Sequence, residues 1–215
     1  MSKKNDTEKK RARKIFDILW KEFPDAQPAL EYSNPFQLLI ATILSAQCTD
    51  ARVNIVTGQL FKKYKKPEDF VKISSRELEK EIFSTGFYRQ KAKSIKNCCK
   101  LLVEKHDGKV PGDFETLTTL PGVGRKTASV ISGNAFGIPS IAVDTHVKRL
   151  SNLLGFIKSQ DPTKIEFRLK ELLPEEYWIV SGHLLMNHGR KTCIARRPNC
   201  VECIINKYCP SNKAE

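Results

Sequence analysis

The sequence has no apolar run long enough to cross a membrane. Its longest mainly apolar stretch, Leu38 to Ala46, holds nine residues and includes Thr42 and Ser45, against the roughly 20 that a span requires. A secretory signal is missing too, because the start is polar and lysine-rich rather than apolar. A soluble, cytoplasmic chain with no membrane partner is therefore expected. No segment alternates strictly between apolar and polar residues, and no repeat of fixed period occurs, so sheet and solenoid architectures are both disfavoured. Acidic residues are scarce: 24 Asp and Glu stand against 37 Lys and Arg, for a formal charge of +13. Seven basic and two acidic residues among the first fourteen give +5, so +8 belongs to the rest of the chain. An excess of this size points to a polyanionic partner.

At 215 residues with 40% apolar content, the chain can bury roughly 70% of its unfolded surface. It is long enough for one large domain or two small ones. Helical spacing dominates. Ala12, Ile15, Phe16, Leu19 and Phe23 mark one amphipathic helix that closes near Pro24. Asn34 followed by Pro35 predicts a capped start to an apolar helix reaching about Ser45, and a further helix is expected over Asp50 to Tyr64. Ser74 or Ser75 caps a helix expected to reach about Ser84 before Gly86, and Ala92, Ile95, Cys99 and Leu102 form the stripe of the next. Asp161 and Pro162 open another that Pro174 stops, for about ten helices in an all-α fold.

A cytosolic setting makes disulfides a poor account of seven cysteines. Cys48, Cys98 and Cys99 read as small buried thiols. Cys193, Cys200, Cys203 and Cys209 differ: four cysteines fall within seventeen residues, separated by six, two and five positions, in a polar tail short of helix signals. Such a segment needs a staple, and four thiolates can converge on zinc or on an iron-sulfur cluster. Spacing alone does not choose between them. Arg196 and Arg197 ride on the loop between the first two cysteines, where fixed guanidinium groups can meet phosphates. His183 and His188 are five apart, the wrong spacing for two zinc ligands on one helical face.

A second motif is Leu120-Pro121-Gly122-Val123-Gly124-Arg125-Lys126-Thr127-Ala128. Gly122 and Gly124 permit a tight turn with outward N–H groups, Val123 sits between them, and Arg125 starts a helix whose positive end adds to a phosphate seat. A nucleotide-binding loop is ruled out, since Arg125 intervenes before Lys126, no glycine stands five residues earlier in the required frame and no strand precedes. A helix entering this turn makes it a helix-hairpin-helix, which grips a DNA backbone without reading sequence. Lys126 either pairs with a phosphate or acts as a nucleophile. An amine nucleophile must be neutral, and an ordinary lysine is neutral in only about one molecule in 2,500 at pH 7. Its place in the first helical turn beside Arg125 disfavours a second cation. Asp144, in Val143-Asp144-Thr145-His146, is read as an N-cap worth about 1 kcal/mol, a role compatible with an ionised carboxylate that steadies a nearby cation.

These residues resemble the endonuclease III branch of the helix-hairpin-helix DNA glycosylase superfamily. The hairpin at 120 to 128, Val-Asp-Thr-His at 143 to 146, His-Gly-Arg at 188 to 190 and the four-cysteine spacing come in that family's order and span nearly the whole chain after its basic start. The resemblance implies a two-domain helical fold. A six-helix domain over residues 28–138 and a discontinuous domain of residues 1–27 plus 139–215 would hold a DNA cleft between them. It also implies a [4Fe-4S] cluster on Cys193, Cys200, Cys203 and Cys209. Lys126 matches the lysine that attacks C1′ of a flipped nucleotide, and Asp144 matches the assisting carboxylate. The implied activity is that of a bifunctional glycosylase and AP lyase in base excision repair. Its substrate would be duplex DNA carrying oxidised pyrimidines or abasic sites, and the chain is expected to be a monomer, nucleoid-associated in a bacterium. Gln47 matches the glutamine that fills the vacated gap. Phe87 stands where relatives carry a leucine wedge, and Cys48 where alanine is usual. Gly122, Val123, Gly124, Arg125, His146, Arg196 and Arg197 complete the implied DNA contacts. A non-catalytic DNA-structure binder with the same hairpin and cluster is the alternative, and an adenine glycosylase is disfavoured by Lys126. With about five phosphates contacted, the affinity for duplex DNA should fall with salt along a log-log slope of roughly −4 to −5, measured by titration at several salt concentrations.

Overall fold

The computed structural model describes residues 3–213, with side chains from Asn5 onward. The outer ends of the discontinuous domain expected from the sequence, residues 1–2 and 214–215, lie outside the described residues. Among the described residues eleven α-helices occur in the order α1 Lys3–Glu22, α2 Pro35–Leu44, α3 Asp50–Lys63, α4 Pro67–Lys72, α5 Ser75–Glu81, α6 Tyr88–Lys105, α7 Phe114–Thr119, α8 Arg125–Phe136, α9 Thr145–Leu153, α10 Pro162–Leu172 and α11 Trp178–Lys191, with short 3-10 turns at Phe83–Thr85, Glu175–Tyr177 and Asn206–Tyr208. Among the described residues there is no strand, and no helix is long and apolar enough to cross a membrane. The all-α expectation holds.

Most helix starts follow from side chains that accept the first free N–H groups. Asn34, Thr49, Ser74, Asp113, Asp144 and Asp161 cap α2, α3, α5, α7, α9 and α10. Proline occupies the first turn of α2, α4 and α10, where its missing N–H costs nothing. One boundary differs from the sequence expectation. The helix from Ser75 ends at Glu81, not near Ser84, and tightens into the 3-10 turn before Gly86. Thr85, buried in that turn, donates its hydroxyl to the Ile82 carbonyl and its N–H to the same oxygen, which favours the tighter winding.

The chain divides into two compact units, Pro28–Ile138 and the paired segments Met1–Gln27 and Pro139–Glu215. In the first, Phe36, Leu38, Leu39, Ile40 and Leu44 of α2 sit at the centre of a core shared with Leu60, Phe70, Leu78, Ile95 and Leu102. Helix α2 has no charged residue and is buried nearly all round, as a helix surrounded by others must be. In the second unit α1 packs on α10 and α11, and its stripe of Ala12, Ile15, Phe16 and Leu19 meets Leu150, Ile165, Leu169, Leu184 and Leu185. Cys98 and Cys99 are fully buried in α6, and burial pushes the Cys98 thiol up to about 12 and the Cys99 thiol higher. Both are packing residues, as expected. Cys48 is half-buried against the same core.

Candidate DNA-repair site

The hairpin between α7 and α8 is closed by the Val123 N–H donating to the Leu120 carbonyl at 3.0 Å. Leu120 and Val123 are buried and anchor it, while the guanidinium of Arg125 stacks 4.8 Å over the Phe114 ring and braces α8 against α7. The two glycines have different physical causes. Gly122 has φ +83°, and a Cβ there would stand 2.8 Å from the Ser94 Cβ, so the fold itself demands glycine. Gly124 has φ −89°, which any residue adopts, and a Cβ there would meet open space. Nothing in the fold of this unit therefore requires glycine at 124, and the missing side chain leaves the backbone there open. The start of α8 agrees: Gly124 offers no side-chain cap, the first turn has no acidic residue, and it begins with exposed Arg125 and Lys126. Both features are locally unfavourable, and an anion seated at this helix start would offset them. Within its unit no carboxylate pairs with the Lys126 amine.

Two loops of the same unit carry Gln47 and Phe87. Both residues are exposed and both have positive φ, +54° and +48°. Asp107 is the only other non-glycine residue with positive φ among the described residues. A phenylalanine in the left-handed region is strained by roughly 1–3 kcal/mol, and here the ring is 65% exposed, so core burial does not repay it. Beneath both loops lies Lys91, which is only 5% exposed and donates from Nζ to the carbonyls of Leu44 and Thr85, each at 2.8 Å. Burial lowers its pKa from the ordinary lysine value, and the neighbouring Cys48 works in the opposite direction.

In the other unit Asp144 caps α9, its carboxylate accepting the Val147 N–H at 2.8 Å. It faces His183, whose pKa burial lowers and Asp144 raises. His146 has its Nδ1 buried without a hydrogen-bond partner and held against α11, where a Cβ on Gly189 would come within 2.8 Å of it. Cys193, Cys200, Cys203 and Cys209 line one cavity of about 510 Å³ with Arg149, His188 and Arg196. Arg196 and Arg197 are exposed. Among the described residues no three His, Cys, Asp or Glu side chains stand close enough together to hold a single metal ion, yet burial and the other cysteines of the set together raise the Cys203 and Cys209 thiols. Four soft donors thus ring a space larger than one ion fills. Arg149 approaches the Cys193 sulfur at 3.7 Å, and buried His188 places Nε2 3.7 Å from the Cys203 sulfur.

Residues 40–175 match the family model of the HhH-GPD superfamily base excision DNA repair proteins. The chain belongs to the HhH-GPD superfamily. Endonuclease III of Synechocystis is 48% identical over 213 residues, covering 99% of this chain and 97% of that protein. Two solved structures superpose with a TM-score of 0.91 at 46% identity over 95% of the chain. One is a non-covalent Endonuclease III–DNA complex, 96% covered. The other is a trapped Endonuclease III–DNA covalent intermediate, the estranged-adenine complex, 97% covered.

Within this HhH-GPD chain, the structure brings Gly122, Val123, Gly124, Arg125 and Lys126 together on one hairpin, and the four cysteines around one cavity. Sequence reasoning overlooked Lys91, Arg149 and the sulfur contact of His188. A signal existed for Lys91, which lies in register with Ile95, Cys98 and Leu102 on the buried stripe of α6, an unusual place for a cation. The two glycines make a paired test. Gly122→Ala should cost about 2–4 kcal/mol of stability through strain and overlap. Gly124→Ala should leave the melting temperature within about 2 °C but weaken duplex binding roughly tenfold, as read by thermal melts and DNA titration.

Proposed function

We propose that the chain is a bifunctional DNA N-glycosylase and AP lyase that removes oxidised pyrimidines from duplex DNA. The observation that carries this reading is the exposed Lys126 directly behind an uncapped helix start, in a chain 46% identical to a protein trapped covalently on DNA. The hairpin N–H groups, Gly124 and Arg125 hold the phosphates, and neutral Lys126 attacks C1′ of the flipped nucleotide. The N–C1′ bond forms as the glycosidic bond breaks and the base leaves. Opening of the sugar gives a Schiff base, loss of a C2′ proton breaks the C3′–O bond, and water then releases the lysine. Asp144, oriented by its N-cap hydrogen bond, steadies the cationic sugar as the base departs. Gln47 and Phe87 fill the gap left by the flipped nucleotide, which offsets part of the few kcal/mol that unstacking costs. Their strained, exposed conformations support that role. His146, Arg196 and Arg197 add contacts to DNA.

The residues around the 510 Å³ cavity fit a [4Fe-4S] cluster. Cys193, Cys200, Cys203 and Cys209 would hold it, and when bound it supplies four iron–thiolate cross-links to a tail with little helix of its own. Arg149 lies where its guanidinium offsets thiolate charge, and His188 lies where its ring N–H can reach the Cys203 sulfur. The unit of residues 28–138, with seven α-helices (α2 to α8) rather than the six expected, and the discontinuous unit form the two domains, and the protein acts as a monomer.

Three measurements test this reading. Borohydride should trap a covalent adduct with DNA containing an abasic site, and Lys126→Ala should abolish it; an adduct that persists in the variant removes Lys126 as nucleophile and leaves a DNA binder. Asp144→Asn should slow base release about a hundredfold with folding retained, because asparagine caps a helix as well as aspartate does; lost binding instead would make Asp144 a structural cap. Anaerobically purified protein should be brown and contain iron and acid-labile sulfide, and iron chelation should lower its melting temperature.

A further inference from the structure

Lys91 buries an ammonium group with no carboxylate beside it, a costly arrangement that an apolar side chain of similar length would avoid. It also sits in the first turns of α6, the wrong end of a helix for a cation. Its gain comes from two other helix ends. The Leu44 carbonyl terminates α2 and the Thr85 carbonyl terminates the 3-10 turn, and Lys91 donates to both at 2.8 Å. The turn that follows Leu44 is closed by the Cys48 N–H on the Ser45 carbonyl and presents Gln47. Thr85 is followed by Gly86, whose φ of +70° and ψ of 158° suit glycine alone, and then by Phe87. One ammonium thus ties the two strained, exposed residues through the backbone just upstream of each.

We infer that Lys91 is a positioning residue that couples the Gln47 and Phe87 loops, so that both side chains enter the duplex as one rigid pair. The inference rests on the gap-filling reading of those two residues. A rigid pair pays the ordering cost before DNA arrives, whereas two independent loops would each pay it on binding. Shifts of about 1 Å in such a pair carry large kinetic penalties.

The test uses the cluster-loaded protein and a duplex carrying a reduced abasic site opposite 2-aminopurine, whose fluorescence reports unstacking without any reaction. It is read at saturating protein, where a smaller folded fraction moves the midpoint and not the plateau. Lys91→Met is expected to fold, to lower the plateau about threefold or more, and to slow base release from damaged duplex about tenfold or more. Lys91→Arg, which keeps charge and donors, should recover at least half of the plateau. Adding Phe87→Ala to Lys91→Met should change little further, because the two act through one pair. A folded Lys91→Met with the wild-type plateau overturns the inference. So does a Lys91→Met that cannot fold, since Lys91 is then a fold residue. If the double variant Gln47→Ala, Phe87→Ala keeps the wild-type plateau, the gap-filling reading itself fails, whatever Lys91 does.

Discussion

A helix cannot pair the N–H groups of its first turn or the carbonyls of its last. The eleven helices among the described residues multiply these ends, and how each is paired separates fold from function in this chain. Six starts are closed by a side chain of the same loop, from Asn34 to Asp161. Some ends are closed at long range: Lys91 reaches Leu44 and Thr85, Lys96 gathers the carbonyls of Phe70, Val71 and Ile73, and Arg11 takes those of Leu154 and Tyr208. The start of α8 has no side-chain cap. It carries cations where the helix field disfavours them and a glycine where no contact forbids a side chain. Such an end is completed by a phosphate or remains unfavourable.

Charge follows the same division. Lys63 with Glu81, Arg168 with Glu8 and Glu171, and Lys170 with Glu166 are paired within their own units. Partly exposed pairs such as Lys63 with Glu81 contribute little to stability, whereas Glu166 is buried beneath its partner. Arg125 stacks on the Phe114 ring, which holds its position on the hairpin. The +13 excess is therefore not a uniform coat.

Much of this was legible in the sequence because it depends on local chemistry. Asn34-Pro35 and Asp161-Pro162 mark helix starts through caps and prolines that act within four residues. The polarity of the cysteine tail marks its lack of helix in the same way. The hairpin motif and the cysteine spacing identify the superfamily because they come in a fixed order along the chain. What the sequence hid depends on packing between distant segments. The early end of α5 is decided by burial of Thr85. The difference between Gly122 and Gly124 is decided by Ser94, 28 positions before the first. The positive φ of Gln47 and Phe87 follows from loop closures that no local residue announces. Lys91 was visible only as a lysine out of place on an apolar stripe.

Arg11 of α1 donates to carbonyls at Leu154 and Tyr208 while stacking 5.2 Å from the Phe156 ring. One end of the chain is thereby fastened to residues almost 200 positions later. On a ribosome, where synthesis runs at about 5–20 residues per second, α1 must wait roughly 10 to 40 seconds for that partner. Its apolar stripe stays uncovered meanwhile, although the unit of residues 28–138 has already emerged whole. The lysines and arginines that flank the stripe then have a use before any ligand is met: they keep a waiting helix dispersed in water.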